Sequence, residues 1–261
     1  MTESTAEQYK NYWCGLEEVR EKSAYYKRLY EKVYPKIKIE NNGHILDVAG
    51  GNGQFMRYLG IERADILDIS ESGLEIARKA GFNTIYGNIE KRFPLQEESY
   101  DVAFCFEVLE HLHHPNKTLA EINNILKKNG VLYLGQPNMR ADGVHHVRRY
   151  YLQDLLDDLD KSGFQVEWVD FVPGYSMRDA ILSDIRKNPS WVRKIIQCVN
   201  LTLSFLPWWV RYQMAKLIPN RFALIFIVKA SNASYVLASF SAVSRSSFES
   251  ISVHAKPFTD S

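Results

Sequence analysis

The run ILDVAGGNGQFMRYL, residues 45–59, takes an apolar segment straight into the small residues Ala49, Gly50, Gly51 and Gly53 and then into a helix-spaced segment. Few folds accommodate that order. It reads as a strand, a tight turn where the backbone can approach a ligand closely, and a helix whose first N–H groups are free to face that ligand. A nucleotide-like ligand is implied.

From Ile45 onward, short apolar runs alternate with helical patterns, the rhythm of a parallel sheet covered on both faces. The expected strands are 44–48, 64–69, 82–87, 100–106, 130–135, 164–171 and 222–230. Ser70 opens a helix that ends at Gly81, and Pro115 opens PNKTLAEINNILKK, which the pattern stops at Asn129–Gly130. The fold class is α/β.

The identity of the ligand follows from what the turn lacks. Counting a G-x-G-x-x-G frame from Gly51 puts Met56 at the last place, so the dinucleotide fingerprint fails. No Gly-Lys-Ser/Thr loop is present either, which removes phosphoryl transfer. Asp47 brings a carboxylate to the point of ligand entry, where it attracts a cationic amino group and repels a pyrophosphate. A zwitterionic amino-acid ligand is therefore favoured over NAD. Asp68 closes the second strand, where a carboxylate can accept both hydroxyls of a ribose, and Asn88–Ile89 follow the third, offering an amide oxygen and an apolar face to an adenine.

The segment from Ile45 to about Phe171 resembles the class I S-adenosylmethionine (SAM)-dependent methyltransferases. The resembling pieces are ILDVAGGNG (45–53), LDIS (67–70), GNIE (87–90), YDVAFCFEVLEHL (100–112), LKKNGVLYLGQPN (126–138) and the RRYYLQDLLDDL stretch running on to Phe164. The resemblance implies a Rossmann-like, seven-stranded, mostly parallel sheet whose last strand runs antiparallel. It implies a cofactor set of Asp47, Ala49, Gly50, Gly51, Gly53, Asp68, Ile69, Asn88, Ile89, Phe106 and Glu107, with FCFE passing beneath the cofactor. Ala49 stands where the family usually has glycine, and Asn88 where aspartate is common.

Methyl transfer from a sulfonium is an in-line displacement that asks the protein for alignment and for removal of the acceptor's proton. FEVLEHLHHP offers Glu107, Glu110 and His111, which share one face if the segment is helical, and His145 and His146 return after the fifth strand. His111 is the candidate base. The E-x-x-E-H piece looks like that of the ubiquinone-biosynthesis O-methyltransferases and the small-RNA 2′-O-methyltransferases. That likeness implies a divalent metal such as magnesium on Glu107, Glu110, His111 and His146; a similar segment also lines pockets in relatives without metal, so both readings stand. His113 and His114 read as surface residues.

The flanks carry less. Residues 1–43 hold helix-spaced aromatics, among them Tyr9, Tyr12 and Trp13, and are expected to form a helical cap before a methyltransferase domain spanning 44–230. Within that domain, 174–220 is a helical insertion whose apolar centre is shorter than the ~20 residues a membrane span needs. Two readings of it remain: a lid that shapes the acceptor pocket, which is preferred, or an interfacial contact through 191–218 with Trp208, Trp209, Arg193, Lys194 and Arg211 at headgroup level. The tail 231–261 is Ser-rich and has no assigned role. With 32 basic and 31 acidic residues the formal charge is +1, so broad attraction to nucleic acid is not expected. Arg148–Arg149 near Lys127–Lys128 is the one dense basic cluster, a thin basis for RNA as the substrate. Three scattered cysteines and no basic-then-apolar leader pattern at the N-terminus set the expectation of a cytoplasmic protein. The expected function is O-methylation of a small-molecule or glycan-like acceptor. The rival readings are a SAM-binding protein without catalysis, a membrane-surface enzyme acting on a lipid-like or lipid-linked substrate, and an RNA 2′-O-methyltransferase.

Overall fold

A computed structural model describes residues 9, 37, 39, 43–138, 146–173, 191, 205–217, 219 and 223–232. Most of the expected N-terminal cap, most of the insertion, His145 and the tail beyond Asn232 lie outside the described residues.

Seven strands form one sheet in the order β3-β2-β1-β4-β5-β7-β6. They are β1 (Ile45–Val48), β2 (Asp65–Asp68), β3 (Asn83–Tyr86), β4 (Tyr100–Phe106), β5 (Leu126–Pro137), β6 (Phe164–Pro173) and β7 (Ala223–Asn232). The helices are α1 (Gln54–Tyr58), α2 (Glu71–Lys79), α3 (Pro115–Ile125), α4 (Leu152–Lys161) and α5 (Trp208–Leu217). β1 to β5 pair in parallel, whereas β7 runs antiparallel to both β5 and β6. The alternation of the sequence thus appears as the α/β sheet it predicts.

Central strands that are covered on both faces are mostly apolar, with acidic residues such as Asp47 and Asp68 near the carboxyl ends of β1 and β2. Leu46, Ile66, Phe104, Leu132, Leu134 and Ile225 to Val228 are fully buried along them. From β1 the chain winds outward to β3 and then crosses back to β4, so the strand order reverses between β1 and β4. An open α/β sheet leaves a crevice at the carboxyl end of such a reversal. The glycine turn after β1 sits there.

Three expectations change. The helix beginning at Pro115 ends at Ile125, and the LKKN stretch belongs to β5, whose pairing jumps from Tyr100–Leu126 to Val102–Val131. The cause lies far away in sequence: Asn232 Nδ2 donates to the carbonyls of Asn123 and Leu126, both at 3.2 Å, and so ends the helix from outside. Asn129, at φ 63°, turns the extra residues out of register. Second, β7 continues through Ser231 and Asn232, so the Ser-rich tail begins later than residue 231. Third, no α-helix forms over 107–111. Glu107 adopts φ 58° and a single 3₁₀ turn, Leu109–His111, follows, so Glu107 does not share a helical face with Glu110 and His111.

Ala49 also lies in the left-handed region, at φ 58°, with its N–H donating to the Leu67 carbonyl at 2.7 Å. A side chain there costs roughly 1–2 kcal/mol in strain, partly offset by the unfolded-state entropy that glycine adds. Ala49→Gly should raise stability by about 0.5–1 kcal/mol, read as a higher urea midpoint at unchanged slope. A lower midpoint would mean that the methyl group's packing outweighs the strain.

Candidate active site

β1 delivers Asp47 to the crevice, where its side chain is 2% exposed and Oδ2 has no hydrogen-bond partner. The turn is built around it. A Cβ placed on Gly50 would come within 2.4 Å of Asp47 Oδ2, so only glycine lets the chain pass, and Gly53 opens α1 at φ 70°. Burial, and then the charge of Asp68, hold the Asp47 carboxyl well above the usual carboxylate range. A buried, unpartnered oxygen beside a backbone cradle is a place for a cation to bind.

Asp68, at the end of β2, is fixed from two sides. Its Oδ2 accepts the Gly51 N–H at 2.8 Å and its Oδ1 accepts the Ser70 N–H at 2.7 Å, with the Ile69 N–H also contributing. Burial raises its pKa and these N–H donors pull it back. Each oxygen keeps a further lone pair, enough for a pair of vicinal hydroxyls. Beyond β3, Asn88 Oδ1 accepts the Glu90 N–H at 3.0 Å, which sets the amide in a turn and leaves that oxygen one lone pair for a ligand. Buried Ile89 is held by Thr118, whose hydroxyl donates to its carbonyl at 2.9 Å. Glu90 Oε1 in turn accepts the N–H groups of His113 and His114, both exposed, and so ties this turn to the start of α3. Half-buried Phe106 lies against Phe55 of α1, their ring centroids 4.4 Å apart.

The carboxyl end of β4 carries the second half of the site. Glu110 is buried, its Oε1 has no hydrogen-bond partner and its Oε2 accepts from Gln136 Nε2 at 3.2 Å. Burial and the nearby Glu107 charge push the Glu110 carboxyl well up. His111 Nε2 stands 3.6 Å from Glu110 Oε1, and the His146 ring centroid is 4.9 Å from that of His111. The Glu110 carbonyl accepts the Val147 and Arg148 N–H groups, which brings the His146 segment alongside. The ligand atoms of Glu110, His111 and His146 all lie within 4.8 Å of one another. Glu107, the fourth expected ligand, is not part of that group, though its charge acts on Glu110.

Two contributors were not picked out from sequence. Gln136, fully buried at the end of β5, orients Glu110; a polar residue ending a buried strand was the available signal. The Tyr9 hydroxyl is hydrogen-bonded to His111 Nδ1 at 2.9 Å, which brings an N-terminal residue onto the candidate base. No local pattern announces that contact.

Residues 46–134 match the family described as a methyltransferase domain. The ubiquinone biosynthesis O-methyltransferase of Photobacterium profundum is 31% identical over 105 residues, covering 37% of this chain and 45% of that protein. The demethylmenaquinone methyltransferase of Chlamydia felis is 32% identical over 139 residues, covering 49% and 59%. The chain therefore spans about half the length of the curated relatives it matches. Among solved structures, a SAM-dependent methyltransferase from Aquifex aeolicus superposes with a TM-score of 0.52 at 17% identity, covering 79% of this chain and 93% of that one. The cyclase SpnF does so with a TM-score of 0.54 at 18% identity, covering 78% and 80%. These likenesses establish the fold.

Because the Asp47 carboxyl is raised in the folded state, the native protein binds more protons than the unfolded chain, and ionising this group opposes folding. Stability should fall as pH rises from the ordinary carboxylate range toward the raised value. Asp47→Asn should flatten that slope and add on the order of 1 kcal/mol near pH 8, measured by urea unfolding across pH. An unchanged pH profile would mean that Asp47 is not the group responsible.

Proposed function

We infer that this chain, whose residues 46–134 carry a class I SAM-dependent methyltransferase domain, binds SAM along the carboxyl edge of β1 to β4 and passes its methyl group to an oxygen of a small-molecule or glycan-like acceptor. The observation that carries the reading is the unpartnered Asp47 carboxylate set against Gly50, one turn from an Asp68 whose oxygens still have room for hydroxyl donors. These residues fit the group: Asp47 would hold the methionine ammonium, Asp68 the ribose hydroxyls, and Asn88 with Ile89 the adenine. SAM, when bound, supplies a methyl group activated on a sulfonium.

The chain's own residues must then align the acceptor and take its proton. His111 is the group for that, held by Tyr9 at Nδ1 and lying beside buried Glu110. Glu110, His111 and His146 also form an oxygen and nitrogen donor set suited to a divalent cation such as magnesium, which would lower the pKa of an acceptor hydroxyl. An RNA acceptor is disfavoured, because Arg148 donates to the His113 carbonyl and Arg149 to Asn138, so neither arginine belongs to an open basic track. A second reading is that SAM is bound without methyl transfer, since one fold hosts many chemistries, a cyclase among those that share it.

Calorimetric titration with S-adenosylhomocysteine should show micromolar binding, with none for NAD. Asp68→Ala should weaken that binding by about 1.5–3 kcal/mol, on the scale of charged hydrogen bonds. Equal affinity in the variant would mean that the ribose lies elsewhere. If a cation is used, both chelation and Glu110→Ala should abolish turnover while leaving S-adenosylhomocysteine affinity within about threefold; full activity under both would remove the metal and leave His111 as the base.

A further inference from the structure

Within the Glu110–His111–His146 group, Glu110 is steered by the Gln136 amide at the end of β5, and the residues after His146 bond to the Glu110 carbonyl. His111 is placed from further away. It closes a 3₁₀ turn of three residues, which fixes the backbone but leaves the imidazole free to rotate about its own bond. A half-turn of the ring would put carbon atoms where Nδ1 and Nε2 now stand. What meets the ring is Tyr9, whose hydroxyl lies 2.9 Å from Nδ1 and whose own ring approaches the imidazole edge-on, the centroids 5.4 Å apart at an interplanar angle of 65°. The His146 ring stands 4.9 Å away, tilted by 54°.

A neutral imidazole carries one N–H, and the partner of one nitrogen decides the state of the other. A phenol hydroxyl suits either form, as donor to a bare Nδ1 or as acceptor from Nδ1–H. The Glu110 side of the ring discriminates between them. His111 Nε2 stands 3.6 Å from Glu110 Oε1, a buried oxygen with no hydrogen-bond partner. An Nε2–H aimed at that oxygen would close to the about 2.8 Å of a charge-assisted bond, because an unmet buried acceptor is costly. The two atoms have not closed. They face each other as acceptors, and the ring proton belongs on Nδ1, against the Tyr9 oxygen.

We propose that Tyr9 is a positioning residue for methyl transfer: its hydroxyl oxygen accepts the Nδ1–H of His111 and so holds the ring with an Nε2 lone pair turned toward Glu110 and His146. The proposal rests on the reading of His111 as the group that meets the methyl acceptor. It serves both forms of that reading, because taking a proton from a hydroxyl and binding a divalent cation each require an unprotonated Nε2. In the first form the proton passes from the methyl acceptor's oxygen to Nε2 while Nδ1–H stays bonded to Tyr9. In the second, Tyr9 is the oxygen to which a ligating histidine gives its other N–H. Tyr9 comes from the chain before β1, 102 residues from its partner, so a residue outside the β-α units of the cofactor cleft completes the methyl-acceptor side.

Nitrogen NMR of the full chain, isotope-labelled at its histidine rings, tests this, with the His111 resonances identified by their loss in His111→Gln. In the neutral form, at alkaline pH, Nδ1 of His111 should show the shift of a protonated, pyrrole-like nitrogen and Nε2 that of a pyridine-like one. Tyr9→Phe keeps the edge-on ring contact and removes only the hydroxyl. Nε2–H, with Glu110 Oε1 as its partner, should then become the major form, at an unchanged melting temperature and with S-adenosylhomocysteine affinity within about twofold of wild type. The proposal is overturned if wild-type His111 is protonated at Nε2, which would make Tyr9 the donor. It is equally overturned if Tyr9→Phe leaves both nitrogen shifts unchanged, which would reduce Tyr9 to a packing contact. The wild-type spectrum requires no variant fold, no cofactor and no methyl acceptor, so its outcome is separate from that of the methyl-transfer reading, which S-adenosylhomocysteine titration of the same protein measures.

Discussion

A single side chain, Asp68, joins the parts of the cofactor cleft. By accepting the Gly51 N–H on one oxygen and the Ser70 N–H on the other, it fastens the glycine turn after β1 to the start of α2, and so closes the end of β2 over the crevice. The tie constrains its neighbour. Asp47 is left facing a second buried carboxylate with no donor of its own, which is why its carboxyl rises while Asp68, supplied with N–H groups, is pulled part of the way back. Two acidic side chains thus take different roles from different surroundings. One is braced by backbone N–H groups; the other keeps a buried oxygen without a hydrogen-bond partner.

The acceptor side is organised differently. The Glu110–His111–His146 group is assembled from a 3₁₀ turn, a segment sutured to the Glu110 carbonyl, the amide of Gln136 and a hydroxyl from Tyr9. One of its hydrogen bonds, Tyr9 to His111, joins residues 102 apart in the chain. Non-local assembly of this kind allows the chemistry at the edge to vary while the cofactor cleft, built from consecutive β-α units, stays constant.

That contrast also accounts for what the sequence made legible. The strand segments and the places of Asp47, Asp68, Asn88 and Ile89 at strand ends follow from local signals: apolar runs, a glycine turn, a capping serine and acidic strand ends, whereas the order of the strands across the sheet was not legible in them. The misreadings have separate causes. LKKN has helical propensity, but an amide from the far end of β7 claims the carbonyls that a longer helix would have used. EVLEH has helical spacing, but the left-handed turn at Glu107 breaks the helix before it begins, and the expected set of Glu107, Glu110, His111 and His146 reduces to a cluster of Glu110, His111 and His146. Tyr9 and Gln136 gave no periodic signal for their roles, since partners distant in sequence are not encoded in spacing.

The antiparallel pairing of β6 with β7 has a consequence for how such a chain can diversify. A β-α-β crossover must carry a helix across the sheet to keep its handedness, so its length and path are restricted. Two antiparallel neighbours need only a turn between them, and anything longer is surplus. Lengthening that surplus is inexpensive, because the closure entropy of a flexible loop rises by only about 0.6 kcal/mol per doubling. The connection from Pro173 to Ala223 is therefore a place where chain can be inserted, deleted or exchanged while the strands stay in register.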